Sequence, residues 1–154
     1  MQYWLMKTEP ATFGLENLAA APRATSSWDG VRNFQARNML RDAMRRGDQA
    51  FLYHSSCEVP GIVAIMEIVK EGYPDPTAFD RKNDHYDPQS DPKKPRWYMV
   101  DVRLKRRLAR TITLEELRAH ATRELKGMVL LRPGNRLSVM PVEPAHWKFI
   151  LTLK

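Results

Sequence analysis

The chain of 154 residues lacks the features that mark several large protein classes. Its one cysteine, Cys57, excludes an internal disulfide and a zinc site built from several thiolates. The longest uninterrupted apolar run, Ile62–Met66, is far too short to cross a bilayer, so we expect no contact with a membrane. The first residues lack the charged and apolar regions of a signal peptide. We therefore expect a cytoplasmic location, or a nuclear one in a eukaryote.

Short catalytic motifs are also missing. The sequence has no Gly-rich phosphate loop, no G-x-S-x-G elbow and no H-E-x-x-H pair. His54 and Ser55 are neighbours on a predicted strand, so they point to opposite faces and the histidine cannot directly activate the serine. The segment 83–87 offers metal-capable side chains but lacks the ligand spacing of calcium and zinc sites. We predict no catalytic residue, no cofactor and no metal site.

Positive charge is what the chain has in excess. Lys and Arg number 25 against 18 Asp and Glu, a formal net charge of +7. Such a balance suits polyanions, because each neutralised phosphate releases condensed counterions. On a strand, Arg103, Lys105 and Arg107 would share one face at intervals of about 7 Å, which suits successive phosphates. The alternative is a solvated edge strand, where such cations block aggregation.

Hydrophobic periodicity predicts both strands and helices, without the regular spacing of βαβ units. The strands are predicted at residues 2–7, 49–55, 62–70, 97–106 and 136–142. Helices are predicted within 11–21 with Thr12 as cap, from Asn33 to a cap at Gly47, from the Thr113–Glu116 capping box, and from Pro144.

Five of the eleven prolines lie between Pro74 and Pro95, where we expect no regular element. The whole pattern predicts a single α+β domain, residues 1–154, with a small curved mixed sheet that curls toward a barrel and carries peripheral helices.

Two of the four tryptophans stand outside the predicted elements. Trp4 and Trp147 belong to patterned segments and are predicted to lie in the core. Trp28 lies in a loop among Ser, Asp and Gly, and Trp97 follows the proline-rich segment. Loop aromatics flanked by cations and amides suit a pocket for a planar group, through stacking and edge hydrogen bonds. The alternative for each is a plug over the core.

Six blocks of the sequence resemble the EVE-domain family, and they follow its order along essentially the whole chain. The blocks are Tyr3–Pro10, Trp28–Asn38, Phe51–Ser55, Gly72–Asp75, Arg96–Val102 and Asn135–Val139. The resemblance implies a PUA-like fold and kinship with YTH domains, which hold a methylated adenine in an aromatic cage. It also implies a module that binds a flipped, modified cytosine or adenine in DNA or RNA without altering it.

The resemblance further implies a set of pocket residues. Trp28 matches the first cage tryptophan of the YTH relatives, and the second aromatic wall stays open among Trp97, Tyr86, Phe79 and Tyr73. The implied pocket consists of Lys7, Thr8, Trp28, Asn33, His54, Ser55, Trp97, Asn135, Arg136 and Ser138.

Two other classes of function stay open. An enzyme acting on RNA or a nucleotide would use His54, Lys7 or Glu9 as acid–base groups. A protein-interaction domain would use the loop rich in Pro and Asp. The leading hypothesis remains a monomeric nucleic-acid-binding module, with no membrane partner.

Overall fold

Six strands form one mixed sheet in the computed structural model, which describes residues 1–154. The strands are β1 (Tyr3–Thr8), β2 (Thr25–Ser27), β3 (Gln49–His54), β4 (Gly61–Pro74), β5 (Tyr98–Thr113) and β6 (Val139–Val142). The α-helices are α1 (Leu15–Ala20), α2 (Phe34–Asn38), α3 (Leu114–Arg118) and α4 (Pro144–Thr152). A π-helical turn, Met39–Ala43, continues α2, and short 3₁₀ turns cover Pro22–Ala24, Pro76–Phe79 and Val129–Leu131.

The strand order is β2-β5-β4-β3-β1-β6, and only β1 and β3 run parallel. This arrangement confirms the α+β class and the mixed sheet. The sheet stays open, with β2 and β6 as its edges, so the expected curl does not close into a barrel. Pro141 sits in the edge strand β6 opposite Trp4, a place where a residue without an N–H group is tolerated. No helix has the length and apolar character needed to span a membrane.

Apolar side chains are buried on both faces of the sheet. On β1, Trp4 and Met6 point into the cluster under α1 and α2, whereas Leu5 points into the cluster under α3 and α4. In the second cluster the Trp147 ring stacks on Phe51, with centroids 3.9 Å apart. The prediction that Trp4 and Trp147 belong to the core is confirmed, since each is only 3% exposed.

Two of the predicted helix caps are confirmed. Asn33 Oδ1 accepts a hydrogen bond from the Ala36 N–H at 2.9 Å and begins α2. Thr113 Oγ1 accepts from the Glu116 N–H at 3.1 Å and begins α3. The Glu116 carboxylate does not complete a capping box, because it pairs with Arg110 at 2.8 Å instead.

The predicted cap at Thr12 is wrong, because α1 begins after Gly14. The Gly14 N–H donates to Asn17 Oδ1 at 2.8 Å. The Leu15 N–H donates to His54 Nε2 at 3.1 Å. A histidine from β3 therefore satisfies one of the free amides of this helix, which local sequence cannot reveal.

Several predicted boundaries differ from the structure. The helix that begins after Asn33 ends at Ala43, before Gly47, so this glycine is not its cap. β5 runs to Thr113, well beyond the predicted end, because its second half pairs with β4. The final strand is shorter than predicted and starts only at Val139.

Asp48 joins the N-terminal segment to the turn before β3 by accepting three hydrogen bonds in a buried position. Its carboxylate accepts from the Trp4 indole Nε1–H, the Gln2 N–H and the Arg45 N–H, each at 3.0 Å. Asp48 is only 4% exposed, so water cannot replace these hydrogen bonds.

Asp48→Ala should lower the free energy of unfolding by about 2–4 kcal/mol, because it leaves the buried indole N–H without an acceptor. Urea denaturation followed by tryptophan fluorescence measures the change. Asp42→Ala is the matched control, since that exposed carboxylate pairs only with the adjacent Arg41, and it should leave the unfolding midpoint unchanged. Equal effects of the two substitutions would contradict this role of Asp48.

Candidate functional site

A cavity of about 650 Å³ opens where β1 ends against the segment that joins β2 to α2. Its lining from β1 and the connection to α1 consists of Lys7, Thr8, Glu9, Thr12 and Phe13. The segment 26–32 lines it throughout, and the remaining contributors are Ser55, Asp84, His85, Arg136, Leu137 and Ser138. Because β1 and β3 run parallel, their C-terminal ends meet at this edge and bring Thr8 beside Ser55.

Trp28 is both a wall of this cavity and a part of the core. Its residue is 7% exposed and packs in the cluster that α1 and α2 cover. The Trp28 backbone N–H donates to the Val100 carbonyl at 2.7 Å, which continues the pairing of β2 with β5. Trp28 is therefore both a wall of the pocket and a plug over the core, as the two interpretations of this loop tryptophan had it. Packing in the core fixes its ring in place.

His85 from the long loop lies directly against Gly30. Gly30 has φ +79°, and a Cβ atom at this residue would stand 2.5 Å from His85 Cε1. Any residue other than glycine would therefore displace the imidazole and strain the backbone. The histidine is a cavity residue that the sequence analysis did not select.

None of the four residues considered for the second aromatic wall lines the cavity. Besides Trp28, the aromatic side chains that line the cavity belong to Phe13 and His85. The four residues that do not line it are Trp97, Tyr86, Phe79 and Tyr73. Phe13 lies in the β1–α1 connection, which the sequence assigned to a helix, so its place at the cavity was not foreseen.

Asp75 holds the cavity segment from beneath and is fully buried. Its Oδ2 accepts from the Gly30 N–H at 2.9 Å and from Arg32 Nη1 at 3.0 Å. Its Oδ1 accepts from the Thr77 N–H at 2.9 Å and from Thr77 Oγ1 at 2.6 Å. Burial alone would raise the pKa of Asp75, but the hydrogen bonds from Thr77, Gly30 and Arg32 outweigh it and hold the pKa below its usual range.

Arg32 connects the same segment to the long loop between β4 and β5. Its Nε and Nη2 donate to the His85 carbonyl at 3.0 and 2.7 Å, and Nη2 also donates to Thr77 Oγ1 at 3.1 Å. The guanidinium carbon lies 5.5 Å from the centre of the Trp97 ring. The Arg32 side chain thus holds the proline-rich loop against the cavity.

Cations surround the cavity, and Asp29 stands among them. Lys7, Arg32 and Arg136 contribute to the lining. Burial lowers the pKa of Lys7. Desolvation of the Asp29 carboxylate, and then the charge of Asp75, raise the pKa of Asp29. Asp29 forms no ion pair, so its carboxylate is free to accept from a ligand.

Six of the ten residues in the implied pocket line the cavity, namely Lys7, Thr8, Trp28, Ser55, Arg136 and Ser138. The other four lie elsewhere. Asn33 caps α2, and Asn135 lines a separate cavity of about 370 Å³. Trp97 is 6% exposed and donates from Nε1 to Asp87 Oδ2 at 2.6 Å.

His54 is the fourth of these residues, and it serves the fold. Its Nε2 accepts the Leu15 N–H, which requires a neutral ring, and burial lowers the pKa of the imidazole. The ring lies against Gly14, where a Cβ atom would stand 3.1 Å from Nε2. A histidine already engaged by a helix amide is a poor acid–base group.

The basic residues of β5 do not share one face. Leu104 pairs with Met66 and Arg106 pairs with Ile65, so Lys105 is an extra residue in a β-bulge. Arg103 therefore faces the side of its partner Glu67, whereas Arg107 faces the opposite side and pairs with Glu16 of α1. The prediction of a single face is wrong, because alternation breaks at the bulge.

Comparison with known proteins decides the family. The EVE domain family model matches residues 2–153. The chain belongs to the EVE-domain family. This EVE domain is 48% identical to mouse thymocyte nuclear protein 1 over 167 aligned residues, which cover 99% of the chain and 73% of that protein.

Solved structures agree with the fold. Human THYN1 protein in complex with 5-methylcytosine-containing DNA superimposes with a TM-score of 0.95 at 45% identity, covering 99% of this chain and 97% of that one. A Pseudomonas putida protein superimposes with a TM-score of 0.92 at 45% identity, covering 98% of each chain. The PUA-like α+β fold is thereby confirmed.

The lowered pKa of Asp75 gives this EVE domain a defined acid sensitivity. Because the folded-state pKa lies below the unfolded value of about 3.9, the ionised carboxylate contributes stability above that value, and the contribution is lost as the pH falls through the folded-state pKa. Asp75→Asn should lower the free energy of unfolding by about 2–3 kcal/mol at pH 7 and by much less near pH 2.

Urea denaturation between pH 7 and pH 2 measures this difference. Asp80→Asn is the control on the same loop, because its exposed carboxylate caps only the Lys82 N–H, and it should follow the parent at every pH. If Asp75→Asn lowers the free energy of unfolding by the same amount at every pH, the charge of the carboxylate is not what stabilises the site.

Proposed function

We propose that this EVE domain binds one modified nucleobase of a nucleic acid in the cavity beside Trp28, and that it performs no chemistry on the base. The observation that carries the proposal is a fixed indole ring in the wall of a cavity of about 650 Å³, surrounded by hydrogen-bonding groups and cations. This volume is within the range of small-molecule sites. The complex of human THYN1 protein with 5-methylcytosine-containing DNA supports a nucleic acid with a modified base as the ligand.

The ligand would be a nucleobase removed from its stack. Unstacking costs a few kcal/mol, and stacking on an aromatic ring recovers about 1–3 kcal/mol per base, with edge hydrogen bonds adding to it. Trp28 would supply the stacking face. Thr8, Ser55 and Ser138 would supply polar groups at the base edge, with the free carboxylate of Asp29 as an acceptor for an exocyclic amino group.

The preference for the modified base would be moderate. Burying one methyl group contributes about 0.8 kcal/mol. The preference increases further where an unmodified base would leave polar groups of the cavity wall unpaired. The ratio of affinities would then be of the order of tens-fold. A methylated or otherwise modified cytosine or adenine, in DNA or RNA, fits this proposal, with cytosine favoured by the human complex.

Binding without catalysis is the better-supported alternative. The enzyme hypothesis depends on His54, Lys7 or Glu9 as acid–base groups, and Glu9 lines the cavity. His54 Nε2 is engaged by the Leu15 amide at 3.1 Å, and its residue does not line the cavity. Lys7 does line the cavity, where a cation also serves a phosphate or a base edge. The protein would act as a monomer in the cytoplasm, or in the nucleus of a eukaryote.

Trp28→Phe should weaken binding of an oligonucleotide with one 5-methylcytosine by about 1 kcal/mol, because the smaller ring keeps only part of the stacking face. Binding of the unmodified oligonucleotide should change much less, since phosphate contacts carry no base information. Fluorescence anisotropy with both oligonucleotides measures the preference. Trp28→Ala is less informative, because removing a core tryptophan costs about 3–5 kcal/mol of stability.

Trp147→Phe makes the same change in the other core cluster, away from the cavity, and should keep the parent's preference. If folded Trp28→Phe and Trp28→Ala proteins both prefer 5-methylcytosine as strongly as the parent, Trp28 does not stack on the base.

Phosphate binding by Arg103, Lys105 and Arg107 stays a prediction, and we extend it to Lys7 and Arg136 at the cavity. To bind phosphate, Arg103 would have to break its ion pair with Glu67, and Arg107 its ion pair with Glu16, whereas Lys105 forms no ion pair. These differences favour Lys105 and Arg136 as the stronger contacts.

Lys105→Gln and Arg136→Gln should each flatten the slope of log K against log salt by about 0.9 on a duplex, or about 0.7 on a single strand. Titrations at several salt concentrations measure the slope. Arg110→Gln is the control, because Arg110 is held by Glu116 at 2.8 Å, and its slope should match the parent's. A slope for Lys105→Gln equal to that of the parent would assign Lys105 to a solvated surface, and the same result for Arg136→Gln would exclude Arg136 as a phosphate contact.

A further inference from the structure

An exposed phenyl ring lies close to two guanidinium groups next to the long loop. Phe34 is 52% exposed although it is aromatic, and it is the first residue of α2. Its ring stacks on Trp97 with centroids 4.8 Å apart and an interplanar angle of 25°. The guanidinium carbons of Arg37 and Arg96 lie 4.9 and 5.9 Å from its centroid. We name Phe34, Arg37 and Arg96 the Phe34 patch.

The patch carries positive charge that the protein itself does not neutralise completely. Arg37 has no acidic partner, because its Nη1 donates to the Arg96 carbonyl at 2.7 Å and its Nε donates to Asn38 Oδ1 at 2.9 Å. Burial, and then the like charge of Arg41, lower the pKa of Arg37. Arg96 reaches Asp87 only at 3.6 Å. An anion at this surface would relieve the crowding of like charges.

The patch is contiguous with the cavity. Arg32 lines the cavity, and its guanidinium carbon lies 5.5 Å from the Trp97 ring on which Phe34 stacks. Arg32 and Phe34 are two residues apart, so their Cα atoms are at most about 7.6 Å from each other. A single nucleic-acid strand can therefore contact both sites at once.

The ring and its cations match the chemistry of a nucleotide. The ring face away from Trp97 can stack on any base, with the Arg37 guanidinium moving from over the ring to bind, together with Arg96, the phosphate that precedes or follows that base. An exposed phenyl ring without a ligand gains nothing from its contact with water, and its stack on buried Trp97 holds it in one orientation. The site is thus preorganised for a planar ligand with a negative charge nearby.

We propose that the Phe34 patch binds a nucleotide adjacent to the one in the cavity, stacking its base on Phe34 and holding its phosphate with Arg37 and Arg96. The inference rests on the proposed function, since it requires a nucleic acid at the cavity. It adds a second contact that is insensitive to the modification and to the identity of the neighbouring base. The patch would contribute affinity, while the cavity contributes discrimination.

Oligonucleotides with one 5-methylcytosine, each carrying an abasic site at one of the neighbouring positions, test the proposal. Fluorescence anisotropy gives Kd for the parent and for Phe34→Ala, Phe34→Tyr and Val59→Ala. Val59 is the matched control, because it is also 52% exposed but lines neither the cavity nor the patch.

Phe34→Ala should weaken binding about five- to tenfold for the modified and the unmodified oligonucleotide alike, leaving their ratio unchanged. Phe34→Tyr keeps the stacking face and should stay within about twofold of the parent. At one of the neighbouring positions, an abasic site should weaken binding by the parent by a similar factor. The same abasic site should not weaken binding by Phe34→Ala any further, because the missing base and the missing phenyl ring remove the same contact.

Three results would overturn the proposal. Binding by Phe34→Ala equal to that of the parent would do so, as would an abasic penalty that is the same in both proteins. The third is a poly-glutamate peptide that binds the parent and not Phe34→Ala while oligonucleotide binding stays unchanged, which would assign the patch to an acidic protein. A parent that binds but shows no preference for 5-methylcytosine would refute the proposed function while leaving the patch testable by the same abasic series.

Discussion

The buried pairing of Asp75 with Arg32 is the constraint on which the cavity depends. The carboxylate is inaccessible to water, so it must be satisfied by protein donors, and it takes them from both the cavity segment and the turn after β4. Arg32 then extends the connection to the long loop through the His85 carbonyl. The segment rich in proline, where no regular element was expected, forms the 3₁₀ turn Pro76–Phe79, because Asp75 accepts from the Thr77 N–H, and these bonds give the segment one position relative to the sheet. Hydrogen bonds within the chain thus preorganise the cavity.

Much of the fold could be predicted because the signals are local. The caps at Asn33 and Thr113 are confirmed, as are the core tryptophans Trp4 and Trp147, since each depends on side-chain spacing within one element. Of the ten residues that the resemblance to the EVE-domain family implies for the pocket, six line the cavity. Trp28 shows the limit of this reasoning, because a loop position does not reveal that the ring is also buried.

The features that could not be predicted depend on partners distant in sequence. The bulge at Lys105 comes from the register between β4 and β5, and no pattern within β5 indicates it. His85 reaches the cavity only because its carbonyl binds Arg32, and His54 caps a helix that precedes it by 39 residues. The short strand β2 forms through its pairing with β5 and has no hydrophobic alternation of its own. Each of these features is determined by tertiary contacts.

The place of β1 in the sheet links the cavity to the order in which these segments are made. The strand precedes the other five in the sequence, yet it pairs with β3 on one side and with β6, the last of the six, on the other. The cavity also takes Arg136 and Ser138 from the segment before β6. Such pairings are distant in sequence, and closing them late makes folding slow relative to local helices. A nascent or truncated chain that lacks residues 136–142 would therefore present cationic surface without a finished pocket, and selectivity would arise only once this segment has been made and has paired with β1.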